Sequence, residues 1–154
     1  MNWKAVLLAA AVALSSGSGA ARAVGEAVLS GTTSGVSWGI YAGSLSNASL
    51  QEEGQGLRVG VPAGASVLGA RYDADSRTAV LTYRLPRGLD ARSALAFATN
   101  QLQLQGFDVG RRTFPSASSA RATLSRDGQM IEIQTARQAS GDLQVRYVFG
   151  GSQP

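Results

Sequence analysis

One segment of the chain has helical periodicity, and segments with strand-like alternation lie on both sides of it. We expect the helix over residues 91–105, because Asp90 can accept hydrogen bonds from the free amides of a first helical turn. Gly106 can end the helix in the left-handed conformation, and Leu102 and Phe107 occupy the positions whose apolar contact accompanies such an ending. A single helix among strands favours an α+β domain.

Two alternating segments before the helix, residues 66–72 and 77–85, form a predicted hairpin. Placing Tyr72 opposite Arg77 gathers the larger apolar side chains on one face, as a half-buried antiparallel pair requires. That face would carry Leu68, Ala70, Leu81, Tyr83 and Leu85. The intervening residues 73–76 begin like a calcium loop but lack its third ligand, its glycine and its distal glutamate, which favours an ordinary Asx-type turn.

Four further strands are predicted after the helix, at residues 107–113, 120–126, 129–137 and 142–149. Asp127-Gly128 joins the second and third of these strands as a type I′ turn. A three-residue loop at 139–141 joins the third and fourth and sets Thr135 opposite Val145. The order β-β-α-β-β-β-β predicts an antiparallel sheet of about five to six strands with the helix packed on one face.

Residues 1–23 have the composition of a cleavable signal peptide. Lys4 precedes an unbroken apolar run of ten residues, and small residues lead to Ala21-Arg22-Ala23 at the predicted cleavage site. The run is shorter than the roughly 20 residues that span a bilayer, so we expect no membrane span after cleavage. We therefore expect an exported protein, periplasmic or secreted, whose mature chain begins near Val24. Cleavage after Ala20 or Ala21, an uncleaved anchor and a buried helix are the alternatives.

The rest of the chain divides into three parts. Residues 24–56 are rich in Gly and Ser, and we expect a loose N-terminal segment with one strand at residues 36–41. Residues 57–150 form the predicted α+β domain, which begins with a short strand at residues 57–61. Residues 151–154 are expected to be a disordered tail.

The mature chain lacks the side chains that most catalytic and cofactor chemistry requires. Lys4 and Arg22 leave with the signal peptide, so 12 of the 14 basic residues remain, all arginine, against 10 acidic residues. Without Cys, His and Lys, the common zinc, haem and iron–sulfur ligand sets, the Ser-His-Asp triad and Schiff-base chemistry are missing. We expect no cofactor, no metal and no catalytic residues. A carboxylate pair is the enzymatic alternative, and Glu52-Glu53 is the adjacent pair of acids.

The outward face of the predicted sheet carries candidate anion-binding residues. If the registers hold, four side chains point away from the core: Arg84, Arg112, Arg121 and Arg146. Arginine binds carboxylate and phosphate groups through two parallel hydrogen bonds, so this face could dock an anionic polymer or a lipid head group. An ordinary solvated face is the alternative. We expect no nucleic acid partner, because the aromatic residues that would stack on bases map to the core face.

The predicted helix has two apolar sides. One stripe should face the sheet and consists of Ala91, Leu95, Ala98 and Leu102. Phe97 and Leu104 share the nearly opposite side, which a partner protein or a second copy of the chain could cover. The alternative that we favour is that the N-terminal segment folds back and packs Trp38 and Ile40 on Phe97.

These observations predict a non-enzymatic binding module of the bacterial cell envelope or secretome. Its candidate partners are an envelope protein, an anionic polymer or a second copy of itself. Phe97 and Leu104 are the candidate residues for protein contacts, and the four outward arginines are the candidates for anions. The alternatives are a carboxylate-dependent hydrolase that acts on an envelope polymer and a structural component of the envelope.

Overall fold

A computed structural model of the protein describes residues 27–52, 56–87 and 89–150. The predicted signal peptide at residues 1–23 and the predicted tail at residues 151–154 lie outside the described residues. Within the described part, the α+β class and the antiparallel sheet with a helix on one face are confirmed.

The fold contains a large and a small sheet. In chain order the elements are β1 (Ala27–Thr33), β2 (Val36–Tyr41), α1 (Asn47–Leu50), β3 (Leu57–Val59), β4 (Ser66–Asp73), β5 (Thr78–Arg84), α2 (Ala91–Leu104), β6 (Asp108–Ser116), β7 (Ser119–Arg126), β8 (Gln129–Arg137) and β9 (Leu143–Phe149). The large sheet has six strands in the order β4-β5-β9-β8-β7-β6, and the small sheet has three in the order β1-β2-β3. All pairs are antiparallel except β2–β3, which is parallel.

Both ends of helix α2 form as the sequence predicts. The Asp90 carboxylate accepts a hydrogen bond from the Ser93 amide at 2.8 Å, which satisfies a donor of the first turn. Gly106 has a φ of 95°, and the Phe107 amide donates to the Leu102 carbonyl at 3.0 Å. This is the ending in which a left-handed residue returns the chain against the last helical turn.

The turns after the helix are also confirmed. Asp127 and Gly128 have φ values of 49° and 82°, as a type I′ turn requires. Gly141 has a φ of 93° in the loop between β8 and β9, and Thr135 lies opposite Val145. Local turn chemistry therefore sets the register of the three consecutive strands β7, β8 and β9.

The predicted register of the hairpin β4–β5 is wrong by two residues. Tyr72 lies opposite Ala79 and not opposite Arg77. Arg77 has a φ of 53°, a turn conformation, so the strand begins one residue later. A second irregularity, between Val67 and Gly69, removes Leu68 from the predicted core face and leaves it 47% exposed.

Strand β6 is longer than predicted. It continues through Phe114 and Pro115 to Ser116, where the sequence predicted that it would end at Thr113. Because β6 is an edge strand, Pro115 can occupy it without removing a hydrogen bond that a neighbouring strand would need.

The N-terminal segment is more regular than the sequence predicts. The strand expected at residues 36–41 is present as β2, but it pairs with a second strand, β1, that was predicted to be loop. Ser34 and Gly35 connect the two strands, with φ values of 53° and 80°. The sequence of β1, AVLSGTT, lacks clear alternation of apolar and polar residues, so periodicity alone could not identify it.

Helix α2 and the small sheet share one core with the large sheet. The helix buries its predicted stripe, which consists of Ala91, Leu95, Ala98 and Leu102. In the small sheet, the Trp38 ring lies 5.1 Å from the Phe149 ring and 5.3 Å from the Tyr72 ring, measured between centroids. The helix and the small sheet therefore cover the same face of the large sheet.

Two glutamine side chains at the end of α2, one in its last turn and one directly after it, close the free edge of β3. The Gln101 carboxamide accepts from the Gly60 amide at 2.8 Å and donates to the Gly60 carbonyl at 3.4 Å. The Gln105 carboxamide accepts from the Arg58 amide at 2.8 Å and donates to the Arg58 carbonyl at 2.6 Å. Each carboxamide thus pairs with β3 and the residue after it as a neighbouring strand would. We call these four hydrogen bonds the glutamine clamp.

The buried side chain of Arg58 anchors the short helix α1 beside this clamp. Its Nη1 donates to Ser49 Oγ at 3.0 Å, and its Nη2 donates to the Glu52 carbonyl at 3.5 Å. The Glu52 carboxylate lies 3.9 Å from the same guanidinium. These contacts give Arg58 a structural position in the N-terminal cover.

Replacing either clamp residue should destabilise the protein. We expect Gln101→Ala and Gln105→Ala each to lower the free energy of unfolding by about 1–3 kcal/mol, because each leaves backbone groups of the β3 edge without partners. Gln103→Ala is the matched control, since Gln103 is exposed on the same helix. Urea unfolding of the three variants measures the difference. Equal stabilities of Gln101→Ala and Gln103→Ala would contradict a stabilising role for the clamp.

Candidate functional site

The side of the large sheet that faces away from α2 and the small sheet is the outer face. Strand registers align one residue from each of five neighbouring strands across it: Arg71, Val80, Arg146, Gln134 and Arg121. Directly paired residues of antiparallel strands point to the same side. Their chain neighbours belong to the core or pack on it, so these five side chains point outward. We call Arg71, Arg146 and Arg121 the arginine row.

Two members of the arginine row border a shallow cavity of about 180 Å³. Arg121 and Arg146 lie on either side of Gln134, and Gln144 and Ser119 contribute further polar groups. The cavity therefore combines two guanidinium groups, which bind anions, with carboxamide and hydroxyl groups that can exchange hydrogen bonds with hydroxyl-rich ligands.

Neighbouring side chains hold the inner edges of both guanidinium groups. Arg146 Nε donates to Gln144 Oε1 at 3.3 Å, and Arg121 Nε lies 3.3 Å from Glu132 Oε2. Within the described residues, no hydrogen bond occupies the terminal Nη atoms of either side chain. The two Nη atoms form one of the edges of the guanidinium group through which arginine binds a carboxylate with two parallel hydrogen bonds.

Arg84 also lies on the outer face, but an acid already neutralises it. Its Nε donates to Asp142 Oδ1 at 2.7 Å and its Nη2 donates to Asp142 Oδ2 at 3.3 Å. Ser140 Oγ donates to the same carboxylate at 2.9 Å. The hydrogen bonds from Arg84 and Ser140 lower the pKa of Asp142 below its ordinary value, and the bond to Asp142 raises the pKa of Arg84.

Arg112 does not lie on the outer face, contrary to the sequence prediction. An irregularity between Val109 and Arg112 adds one residue to β6, and Arg112 pairs with Ala122, a core residue. A shift of one residue moves a side chain to the opposite side of the sheet. Arg112 is therefore exposed at the sheet edge on the helix side, apart from the other candidate arginines.

Arg71 completes the arginine row, although it is not among the arginines predicted from the sequence. Its outward direction could have been inferred, since it follows Ala70, which was assigned to the core face. Its alignment with Arg146 could not, because it depends on the β4–β5 register and on the pairing of β5 with β9.

Phe97 and Leu104, the candidate residues for protein contacts, are both half-buried. Leu104 lines a cavity of about 510 Å³ at the end of α2, together with Leu50, Gln105, Arg126 and others. The N-terminal segment does fold back onto this helix, through β3 and α1. The aromatic partners of Trp38 are Tyr72 and Phe149, however, and not the predicted Phe97.

Several of the described acidic side chains take part in turns or ion pairs. Asp75 donates its amide to Asp73 Oδ1 at 3.0 Å, the Asx-type turn predicted for this loop. Glu53, one of the adjacent acids, lies outside the described residues. Among the described residues, no group of three or more acids is placed to hold a metal ion. The lowered pKa of Asp142 and Asp90 is opposite to the raised pKa that a catalytic general acid needs.

No family model, curated protein or solved structure matches this chain. In the part of the chain that the structure describes, no helix combines the length and the apolar character needed to cross a bilayer. The site must therefore be interpreted from its own residues.

The Arg84–Asp142 pair should make stability depend on pH. The pKa of Asp142 is lower in the folded chain than its ordinary value of 3.8, so its ionised form stabilises the fold above that value. This stabilisation is lost as the pH falls through the lowered folded pKa. We expect Asp142→Asn to destabilise the protein at about pH 7 and to differ less from the wild type at about pH 2.

Urea unfolding at the two pH values measures this dependence. Asp75→Asn, a change at an exposed turn residue, is the control for removal of a negative charge. A stability difference between Asp142→Asn and the wild type that is the same at both pH values would show that the pair contributes nothing through its charge.

Proposed function

We propose that this protein is an exported, non-enzymatic binding module of the bacterial cell envelope or secretome, and that its outer face binds an anionic polymer. The observation that carries the proposal is the cavity between Arg121 and Arg146, where two arginines flank Gln134 on a face that none of the described helices and strands covers. The composition of residues 1–23 supports export.

The chemistry of the outer face supports a ligand with both acid and hydroxyl groups. Guanidinium groups bind carboxylate and phosphate with directional hydrogen bonds, whereas Gln134 and Gln144 can both donate to and accept from hydroxyls. The site is shallow, and Arg121 is half exposed. An extended chain can lie on such a surface, whereas a small molecule would remain largely solvated there.

The composition supports a binding role in place of catalysis. The mature chain has no His, Cys or Lys to act as imidazole base, thiol nucleophile or Schiff-base amine. The polar side chains around the cavity are arginine, glutamine, serine and threonine, together with Glu132, which is paired with Arg121. These groups orient and neutralise a ligand, and the proposal assigns them no proton transfer.

Removing the two cavity arginines should weaken polymer binding. We expect Arg121→Gln combined with Arg146→Gln to lower the affinity of the mature protein for oligomannuronate about tenfold at low salt, because each exposed contact contributes about threefold. The remaining binding should also depend less on salt, since fewer charges are screened. Isothermal titration calorimetry at several salt concentrations measures both effects.

Arg77→Gln is the control, because it removes one positive charge at the β4–β5 turn, outside the cavity between Arg121 and Arg146. Urea unfolding verifies that the double variant remains folded. Unchanged affinity in the double variant would refute the anionic-face proposal. If Arg77→Gln lowers the affinity as much for each charge removed, the binding is nonspecific attraction to the net positive charge.

A further inference from the structure

The outer face has a regular spacing that the proposed function does not use. Arg121 is on β7, Arg146 on β9 and Arg71 on β4, so two strand steps separate each arginine from the next. Neighbouring strands lie about 4.8 Å apart, which places each of the three backbone positions about 10 Å from the next along a line across the strands. Gln134 and Val80 occupy the intermediate positions.

A buried valine lies between two members of the arginine row. Val80 lies on the outer face and is only 3% exposed, although no other element within residues 27–52, 56–87 and 89–150 covers that face. Its direct cross-strand neighbours are Arg71 and Arg146. Aliphatic arginine stems commonly cover apolar surface while the charged group remains in water. Val80 therefore provides an apolar surface on which both stems can lie.

A row of mostly small side chains runs parallel to the arginine row. The strand registers align Gly69, Thr82, Gln144, Ala136 and Ser119 across the same five strands. A Cβ added at Gly69 would meet no atom within 4 Å, so the surface at this end is open. We call these five residues the small-residue row. It offers room for a chain to approach the arginines from one side.

The other side of the arginine row is acidic. The next aligned positions are Asp73, Thr78, Val148, Glu132 and Thr123. Asp73 would repel an anionic chain, and Glu132 already competes for Arg121 on this side, whereas the small-residue row carries no charge. Charge and available space therefore favour the same path for a bound polymer, which runs across the strands along the small-residue row. We call this path the track.

We infer that the outer face binds a linear acidic polysaccharide that presents one acid group per disaccharide to the same side of its chain. The basis is the arginine spacing, which corresponds to two strand steps and approximates the length of two linked sugar rings. Each acid group would meet one member of the arginine row, and the sugar rings would lie over the small-residue row. This inference rests on the proposed function, and it adds the polymer class, the direction of the track and the role of Arg71.

Oligosaccharide length tests the inference. In β-linked oligomannuronate, successive rings turn over, so a tetramer presents two carboxylates to one side and a hexamer presents three. We expect the wild type to bind the hexamer about threefold more tightly than the tetramer, because only the hexamer reaches from Arg121 to Arg71. Arg71→Gln should remove this preference while the tetramer still binds across Arg121 and Arg146, whereas Arg77→Gln should retain the preference.

A second pair of variants tests the track itself. Gly69→Glu places a negative charge at the Arg71 end of the small-residue row, and Gly69→Gln places a neutral side chain of similar size there. We expect Gly69→Glu to lower hexamer affinity more than Gly69→Gln does, with similar unfolding midpoints in urea. Equal hexamer affinities of the two variants would overturn the proposed track.

The outcomes separate this inference from the proposed function. If the Arg121 and Arg146 variants weaken tetramer binding but the wild type shows no preference for the hexamer, the spacing inference is wrong and the proposed function stands. If the Arg121 and Arg146 variants leave tetramer binding unchanged, both are wrong. A hexamer preference that persists in Arg71→Gln would also overturn the assignment of the third contact.

Discussion

The glutamine clamp is the interaction on which the arrangement of the two sheets depends. Strand β3 is short and lies at the edge of the small sheet, and Gln101 and Gln105 satisfy the backbone groups that would otherwise be unpaired along that edge. The clamp joins the small sheet to α2, and α2 packs on β7 and β8. A polar pair of side chains thus fixes where the apolar N-terminal cover meets the core.

This arrangement determines which surface remains available for a ligand. Helix α2 and the small sheet both cover one face of the large sheet, and Trp38 extends the cover to Phe149 and Tyr72. The opposite face keeps its polar side chains in water. Because a strand alternates its side chains between the two faces, the arginines of the outer face are held by the same strands that build the core. Core packing therefore fixes the backbone spacing of the arginine row.

Features that depend on adjacent residues were predictable, and features that depend on distant pairing were not. Asp90 acts through a side-chain hydrogen bond to the adjacent helical turn, Gly106 and Asp127-Gly128 act through their own backbone geometry, and each forms as expected. The clamp was missed because glutamines on a helix surface have the pattern of solvated residues. For the site, the outward directions of Arg84, Arg121 and Arg146 follow from alternation, but one extra residue in β6 moves Arg112 to the other side. The alignment of Arg71 with Arg146 depends on β5–β9 pairing, which no local pattern encodes.

The exposure of the arginine row bears on the kind of ligand that it can hold. Arg121 is half exposed, so water and salt screen its attraction for an anion, and a single contact of this kind contributes little affinity. A ligand with repeated acid groups binds more tightly. Once one acid group is bound, the next group on the same chain is held at high effective concentration near the next arginine. A single small anion gains nothing from the second and third arginines. The spacing of the row therefore favours a repeating polymer over the same acid group in free solution.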